Sequence, residues 1–366
     1  MHTPTGLFPD TAIEGLCDAG AIGFDHALDA DQIQPASLDL RLGRRAIRVR
    51  ASFLAGADQP VADRLAEFEM HRIDLTAGAV LEKGCVYVVE LLERLALPPD
   101  VSAVANAKSS IGRLDLLTRM ITDGGTEFDR VAPGYHGPLY AEICPRSFSV
   151  LARTGQRLNQ IRFRRGHAVL SDVDLMALHD TTPLVDGPAH IDGGLGFSVD
   201  LTPRDRSLVG YRAKPHTGIV DLDGIGAHDP SEYWEEVHSR AGRILLDPGA
   251  FYILVSREAV TIPPDHAAEM APYLAMVGEF RVHYAGFFDP GFGHGMPARG
   301  VLEVRCHEAP FVLEHGQIVG RLIYERMAAT PRQLYGAGIA SNYHGQGLKL
   351  SKHFRSPDDQ PASSRE

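Results

Sequence analysis

The chain has 366 residues, 44% apolar and 23% charged, with a formal net charge of −11. That length and balance predict two globular domains, each able to build a core. A negative net charge with no long basic stripe argues against nucleic-acid backbones and anionic membranes as partners; a small phosphorylated ligand needs only local cations and stays open. Cys17, Cys85, Cys144 and Cys306 lie far apart with no Cys-x-x-Cys pair. Free thiols in a reducing compartment are expected, not a disulfide framework or a structural zinc. No cationic stretch followed by an apolar one opens the chain, and no apolar run is long enough to span a bilayer, so the expectation is a cytoplasmic protein.

In chain order, Asp10 to Ala21 has helical spacing of Ile13, Leu16 and Cys17, with Asp10 or Thr11 as the cap. From Ile33 to Gly43, Leu38, Leu40 and Leu42 alternate with Asp39 and Arg41, the pattern of a half-buried strand. Short strands broken by Gly and Pro are expected at Ile73–Leu75, Cys85–Leu91, Val101–Ala105, Leu139–Ile143, Val150–Leu151 and Ile161–Phe163. Many short strands with frequent turn signals predict a mainly β sandwich or barrel with short peripheral helices.

The second half repeats the first. Leu81-Glu82-Lys83-Gly84-Cys85-Val86-Tyr87, Glu93 and Pro98-Pro99-Asp100 return as Leu246-Asp247-Pro248-Gly249-Ala250-Phe251-Tyr252, Glu258 and Pro263-Pro264-Asp265, at a constant offset of 165 (246 − 81, 265 − 100). Further echoes keep the same order at slightly different offsets: Pro35–Leu40 with Gly196–Leu201, Pro133-Gly134 with Pro290-Gly291, Leu139–Glu142 with Gly300–Glu303, and Gly155-Gln156 with Gly316-Gln317. This is a tandem duplication of one β-domain. The boundaries expected are 1–170 and 191–355, joined by a linker at 171–190, with a polar, disordered tail at 356–366.

The two copies keep different chemistry. Only the first carries Lys108-Ser109-Ser110-Ile111-Gly112-Arg113, in which two cations, two hydroxyls and a glycine suit an oxyanion; the bland reading is a solvated turn opening a helix. Only the second carries Gly286-Phe287-Phe288-Asp289-Pro290-Gly291, followed by Val301-Leu302-Glu303. A carboxylate among Val301, Leu302 and Val304 suits acid–base work if half-buried; the alternative is that Glu303 faces solvent. One half would thus complement the other. The run from Tyr335 through Asn342 to Gln346 is glycine- and amide-rich and suits a segment closing over a ligand, or a mere tail.

These motifs resemble the dCTP deaminases of the dUTPase-like superfamily, over roughly residues 7–165 and 190–350. The resemblance implies two tandem dUTPase-like β-barrel domains. The family's Arg-Ser-Ser-x-x-Arg run is matched by Lys108–Arg113, with Lys108 in place of the first arginine. Its Asp-Pro-Gly turn, a nucleoside contact, is matched by Asp289, and its Val-Leu-Glu strand by Val301, Leu302 and Glu303. Its late Tyr, Lys and Gln are matched by Tyr335, Asn342 (a departure from Lys) and Gln346.

The implied reaction is dCTP plus water giving dUTP and ammonia, with Glu303 as the base and Ser109 and Arg113 orienting it and the water. Lys108, Ser110, Tyr335 and Gln346 would hold a triphosphate bridged by Mg²⁺. The zinc deaminases' His-x-Glu and Pro-Cys-x-x-Cys elements are absent from the sequence, and Cys306-His307-Glu308 is read as structural. Glu142, the counterpart of Glu303, is also given a structural role. The resemblance further implies a homo-oligomer, such as a trimer of two-domain chains, one working site per chain, within or between chains, and dTTP as a candidate inhibitor. The rival readings are a dUTPase or bifunctional enzyme that also cleaves dUTP, and a non-catalytic nucleotide-binding protein.

Overall fold

The computed structural model describes residues 5–202, 208–272, 280–283, 286–336 and 347–356, with residues 272 and 280–283 described by their backbone alone. The two halves share one strand order. In the first, the sheet runs Arg130–Val131, Val101–Ala107, Arg157–Arg165, Ser37–Val49, Val86–Ala96, His136–Pro145, Leu116–Thr122. In the second, the order Phe287–Phe288, His266–Pro272, Ile318–Arg326, Leu195–Ser198 forms one sheet, and Leu208–Ala213, Phe251–Val260, Ala298–Cys306, Phe280–His283 run through another. What is one continuous strand in the first half, Ser37–Val49, is two in the second, so a near-closed barrel sheet becomes a two-sheet sandwich.

The duplication extends to single hydrogen bonds. The Tyr87 hydroxyl accepts the Glu82 N–H at 3.0 Å, and the Tyr252 hydroxyl accepts the Asp247 N–H at 2.9 Å. The Gln156 Oε1 accepts from the Arg153 N–H at 2.8 Å, and Gln317 Oε1 from the Glu314 N–H at 3.3 Å. Gly84 and Gly249, at the matched turns, both take left-handed φ, +79° and +71°, a conformation that glycine adopts without a Cβ clash.

The expected strands are present, most of them longer than their apolar centres. The first helix is Asp10–Asp18 and is capped by neither expected residue: Pro9 occupies the cap. The Asp10 carboxylate instead accepts the N–H groups of Arg332 (3.0 Å) and Gln333 (3.1 Å), tying the first half to the approach to Tyr335.

The Ser37–Val49 strand is also not half-buried. Leu38, Leu40 and Leu42 fill the core, but Asp39 and Arg41 are buried as well. Arg41 donates to Glu93 from its main chain (2.8 Å) and Nε (2.7 Å), and to the carbonyls of His26 and Ala27, so the loop preceding the strand covers its polar face. Buried charge persists because it is paired.

The stretch 171–190 is more than a join. It holds the helix Asp172–Thr181, capped by Ser171, and sends Leu175, Leu184 and Val185 into the second core. The halves also share a core. Trp234, Tyr233, Phe251, Ile253 and Phe354 pack with Phe148 and the first-half strands, and Val150–Ala152 pairs in parallel with Val220–Asp221. Among the described residues no helix is long and apolar enough to cross a membrane.

Candidate active site

The Val101–Ala107 strand ends at Lys108, and the chain makes a single helical turn, Ser109–Gly112. The turn closes on itself through Gly112 N–H to Lys108 O (3.0 Å), Arg113 N–H to Ser109 O (3.1 Å) and Asp115 N–H to Gly112 O (2.9 Å). Asp115 then takes a left-handed φ of +53°, which turns the chain into the Leu116–Thr122 strand. Ser110, Arg113 and Asp115 are buried, so the solvated-turn reading does not hold.

The Glu303 strand of the same chain lies against this turn. Glu303 is 4% exposed on Ala298–Cys306, between the strands Phe251–Val260 and Phe280–His283. Among the described residues, no hydrogen-bond partner reaches its Oε2. Burial pushes its carboxyl up to about 8, against the pull of Arg113 and with a further push from Asp115. Arg305, two residues on, forms an ion pair with Asp115. Val301 packs against the first-half core, whereas Leu302 is fully buried in the second core, so only its main chain is left for a ligand.

A second group of contacts carries the Asp-Pro-Gly turn. A Cβ built on Gly286 would stand 3.3 Å from Ser109 Oγ, so glycine lets this segment approach the first-half turn. Three residues on, Asp289 accepts from Arg162 Nη2 at 2.8 Å. Arg162, fully buried on the first-half strand Arg157–Arg165, also donates to the carbonyls of Ala268 and Phe288 (both 3.0 Å). Tyr335 docks on the same turn, its N–H on Pro290 O at 2.9 Å and its ring 5.4 Å from that of Phe292. Asn342 and Gln346 lie outside the described residues.

The chain then returns across the site. Arg113 Nη1 donates to Lys349 O at 3.1 Å, and Ser351 Oγ to Ser110 O at 2.7 Å. Lys108 pairs with the buried Asp39, to which Arg157 Nη1 also comes within 3.6 Å. Burial still raises the Asp39 carboxyl above its ordinary range. Lys352 lies near this cluster; burial, then Lys108, lowers its proton affinity. Lys108, Arg157 and Lys352 thus face three carboxylates, the buried Asp39 and the more exposed Asp29 (2.6 Å from Arg157 Nη2) and Asp31 (2.8 Å), with which an anionic ligand would compete for the cations.

Glu142 sits in the corresponding place of the first half but meets other surroundings. It is 1% exposed and accepts from Arg119 Nη2 at 2.5 Å; Arg119 also donates to Ser52. The first half's own segment from Val49 to Phe68 covers that face, with Phe53, Val61 and Leu65 packed on Val88, Ile121 and Tyr140. In the second half the corresponding segment packs instead on the first half, through Val220 and Tyr233. Glu303 is therefore left for the Ser109 turn, and Glu142 is not. Cys306 is buried, its thiol toward the Leu246 and Ala309 carbonyls, in keeping with a structural role.

Two family models cover almost the whole chain: the N-terminal domain of 2'-deoxycytidine 5'-triphosphate deaminase matches residues 4–167, and the C-terminal domain matches residues 171–354. The chain belongs to the dCTP deaminase family. A crystal structure of the dCTP deaminase from Agrobacterium tumefaciens resembles it with a TM-score of 0.87 and 54% identity, over 90% of this chain and 100% of that one. The dCTP deaminase of Halorubrum lacusprofundi is 31% identical over 138 residues, 37% of this chain and 65% of the relative. A relative from Clavibacter michiganensis named "dCTP deaminase, dUMP-forming" is 34% identical over 126 residues, 33% of this chain and 60% of the relative. Each of these last two alignments spans less of the chain than one of its halves.

Asp39, Arg157, Arg162, Asp115, Arg305 and Lys352 join the site without having been singled out from sequence. Asp39 alone had a signal: it lies in the Pro35–Leu40 echo.

Proposed function

We propose that the chain hydrolyses dCTP to dUTP and ammonia at one site per chain, with Glu303 as the proton-transferring group. The observation that carries this reading is a buried carboxyl, displaced toward neutrality, set against the Lys108–Arg113 turn of the other half. Water adds its oxygen to C4 of the cytosine while Glu303 takes one of its protons and passes it to N3. Glu303 then moves the second proton from the new hydroxyl to the amino group, which leaves as ammonia, and the ring becomes uracil. A group that must take and return protons works best with a pKa near the working pH. Arg113 favours the charged form of Glu303, and Ser109 supplies a hydroxyl for water or ring.

Lys108, with Arg157 and Lys352 beside it, would hold the triphosphate, and Ser110 shapes the turn. Mg²⁺ would travel with the triphosphate. Phosphate binding remote from C4 then positions an inert ring. Asp289, already engaged by Arg162, and Tyr335 on the same turn would bound the nucleoside, with Asn342 and Gln346 completing closure. The mechanism needs no zinc, in line with the missing zinc-deaminase signature. We extend the reading to a cytoplasmic homo-oligomer, such as a trimer of two-domain chains, that is open to inhibition by dTTP and whose product supplies thymidylate synthesis.

The test is incubation of purified protein with dCTP and Mg²⁺, with and without a zinc chelator, and separation of nucleotides by ion exchange. Conversion to dUTP, unaffected by the chelator and lost in Glu303→Gln, is expected. Accumulation of dUMP and pyrophosphate would favour the bifunctional reading; unchanged dCTP would leave a binding protein.

A further inference from the structure

Asp115 is an unusual residue for its place. It is completely buried, and it holds a left-handed φ of +53°, disfavoured for a residue with a Cβ. Its surroundings fix it there: the Gly112 carbonyl accepts its N–H at 2.9 Å, its own carbonyl accepts the Arg146 N–H at 3.0 Å, and its Oδ2 accepts the Ser147 hydroxyl at 2.6 Å. The same Oδ2 pairs with Arg305 from the other half. Arg305 stands two residues from Glu303 on one strand, hence on the same face. A buried charge pair between the halves thus sits beside the carboxyl that does the proposed chemistry.

We propose that the Asp115–Arg305 ion pair is a positioning device for the deamination site, locking the Lys108–Arg113 turn onto the Glu303 strand and keeping the charge around Glu303 balanced. The inference rests on Glu303 as the reacting carboxyl. Among the described residues, the charged groups acting on Glu303 are Arg113 and Asp115 from the first-half turn. Arg305 shares its strand. Of its neighbouring strands, one places Ile253 opposite it and the other pairs the main chain of His283 with it. Asp115 disfavours the Glu303 carboxylate and Arg113 favours it; Arg305 offsets Asp115. Removal of either partner of the pair leaves the other's charge uncompensated, so the two removals act on Glu303 with opposite sign.

The variants are Asp115→Asn, which tolerates the left-handed backbone, Arg305→Met, which keeps the stem without the charge, Arg305→Lys and the double variant. Two readouts follow Glu303: the acid limb of kcat/KM for dCTP against pH, and infrared titration of its carboxyl band in unliganded protein, assigned by its loss in Glu303→Gln. Arg305→Met moves the midpoint to higher pH by about one unit, Asp115→Asn moves it lower by about as much, and the double variant returns near wild type. Arg305→Lys restores the wild-type midpoint. Unmoved midpoints, or shifts of the same sign in both single variants, overturn the proposal. The infrared readout does not need turnover: a wild type that leaves dCTP unchanged defeats the proposed reaction, while the titration still decides whether the pair sets the state of Glu303.

Discussion

Glu303 and Arg162 are the two residues on which the site most depends, for different reasons. Burial outweighs Arg113 and raises the Glu303 carboxyl to about 8 in the unliganded protein, which favours its neutral form. In the proposed role of a base it must be ionised, so kcat/KM for dCTP should rise with pH through about 8. Glu303→Gln should lower the rate by about 10²–10⁴-fold, read by initial rates of ammonia release. The same residue makes a linkage prediction. Its folded pKa lies above its ordinary 4.5, so its contribution to stability is full at low pH and is lost as pH rises through about 8. Glu303→Gln should therefore gain thermal stability relative to wild type as pH increases from 5 to 8.

Arg162 carries no chemistry but joins a first-half strand to the Asp289 turn. Arg162→Met leaves Asp289 without its ion pair and should cost about 3–5 kcal/mol, measured by denaturant unfolding. Sequence made Asp289 and the Lys108–Arg113 run visible because each survives in only one copy of the repeat; Glu303 has a counterpart in Glu142 and was visible through its Val301-Leu302-Glu303 setting. Asp39 and Arg41 were misread because alternation along Leu38, Leu40 and Leu42 marks two faces of a strand without saying what covers the second. Asp115 and Arg305 had no local signature at all, since their meaning is a contact 190 residues apart in sequence.

At the scale of elements, two short segments set which copy's carboxylate meets the Ser109 turn. The Val49–Phe68 segment seals the Glu142 face, and its apolar set (Phe53, Val61, Leu65) is legible only once the strands beneath it are placed. The segment 347–356 has no regular periodicity, yet it crosses the Ser110 turn and ends with Phe354 among Phe148, Tyr233 and Trp234, at centroid distances of 6.3, 5.3 and 5.8 Å. Phe354→Ala should cost about 3–5 kcal/mol in chemical denaturation. Because this segment also supplies the Lys349 carbonyl to Arg113, the variant should raise KM for dCTP as well. A KM equal to wild type would separate the segment from the site. Strand centres and matched turns were readable because two copies state them twice; the ends of strands, the Asp172–Thr181 helix and the cap at Pro9 depend on tertiary contacts.

At the scale of the molecule, the duplication joins two β-domains through a shared core. The first core includes Trp234, Phe251 and Phe354 of the second half, and Arg162 and Arg164 of the first half reach Asp289 and Glu325 of the second. Neither half buries its surface alone, so calorimetry of the full chain should show a single transition, with agreement of the calorimetric and van't Hoff enthalpies. The central claim is that the Ser109 turn and Glu303 of one chain form one site. Mixing tests it most directly: Ser109→Ala and Glu303→Gln chains, each inactive alone, are co-expressed, purified together and assayed with dCTP. With the site inside a chain, every chain carries a defective half and the mixture stays inactive. Recovery of dUTP formation in the mixture would mean that the turn of one chain meets Glu303 of another, and would contradict the account.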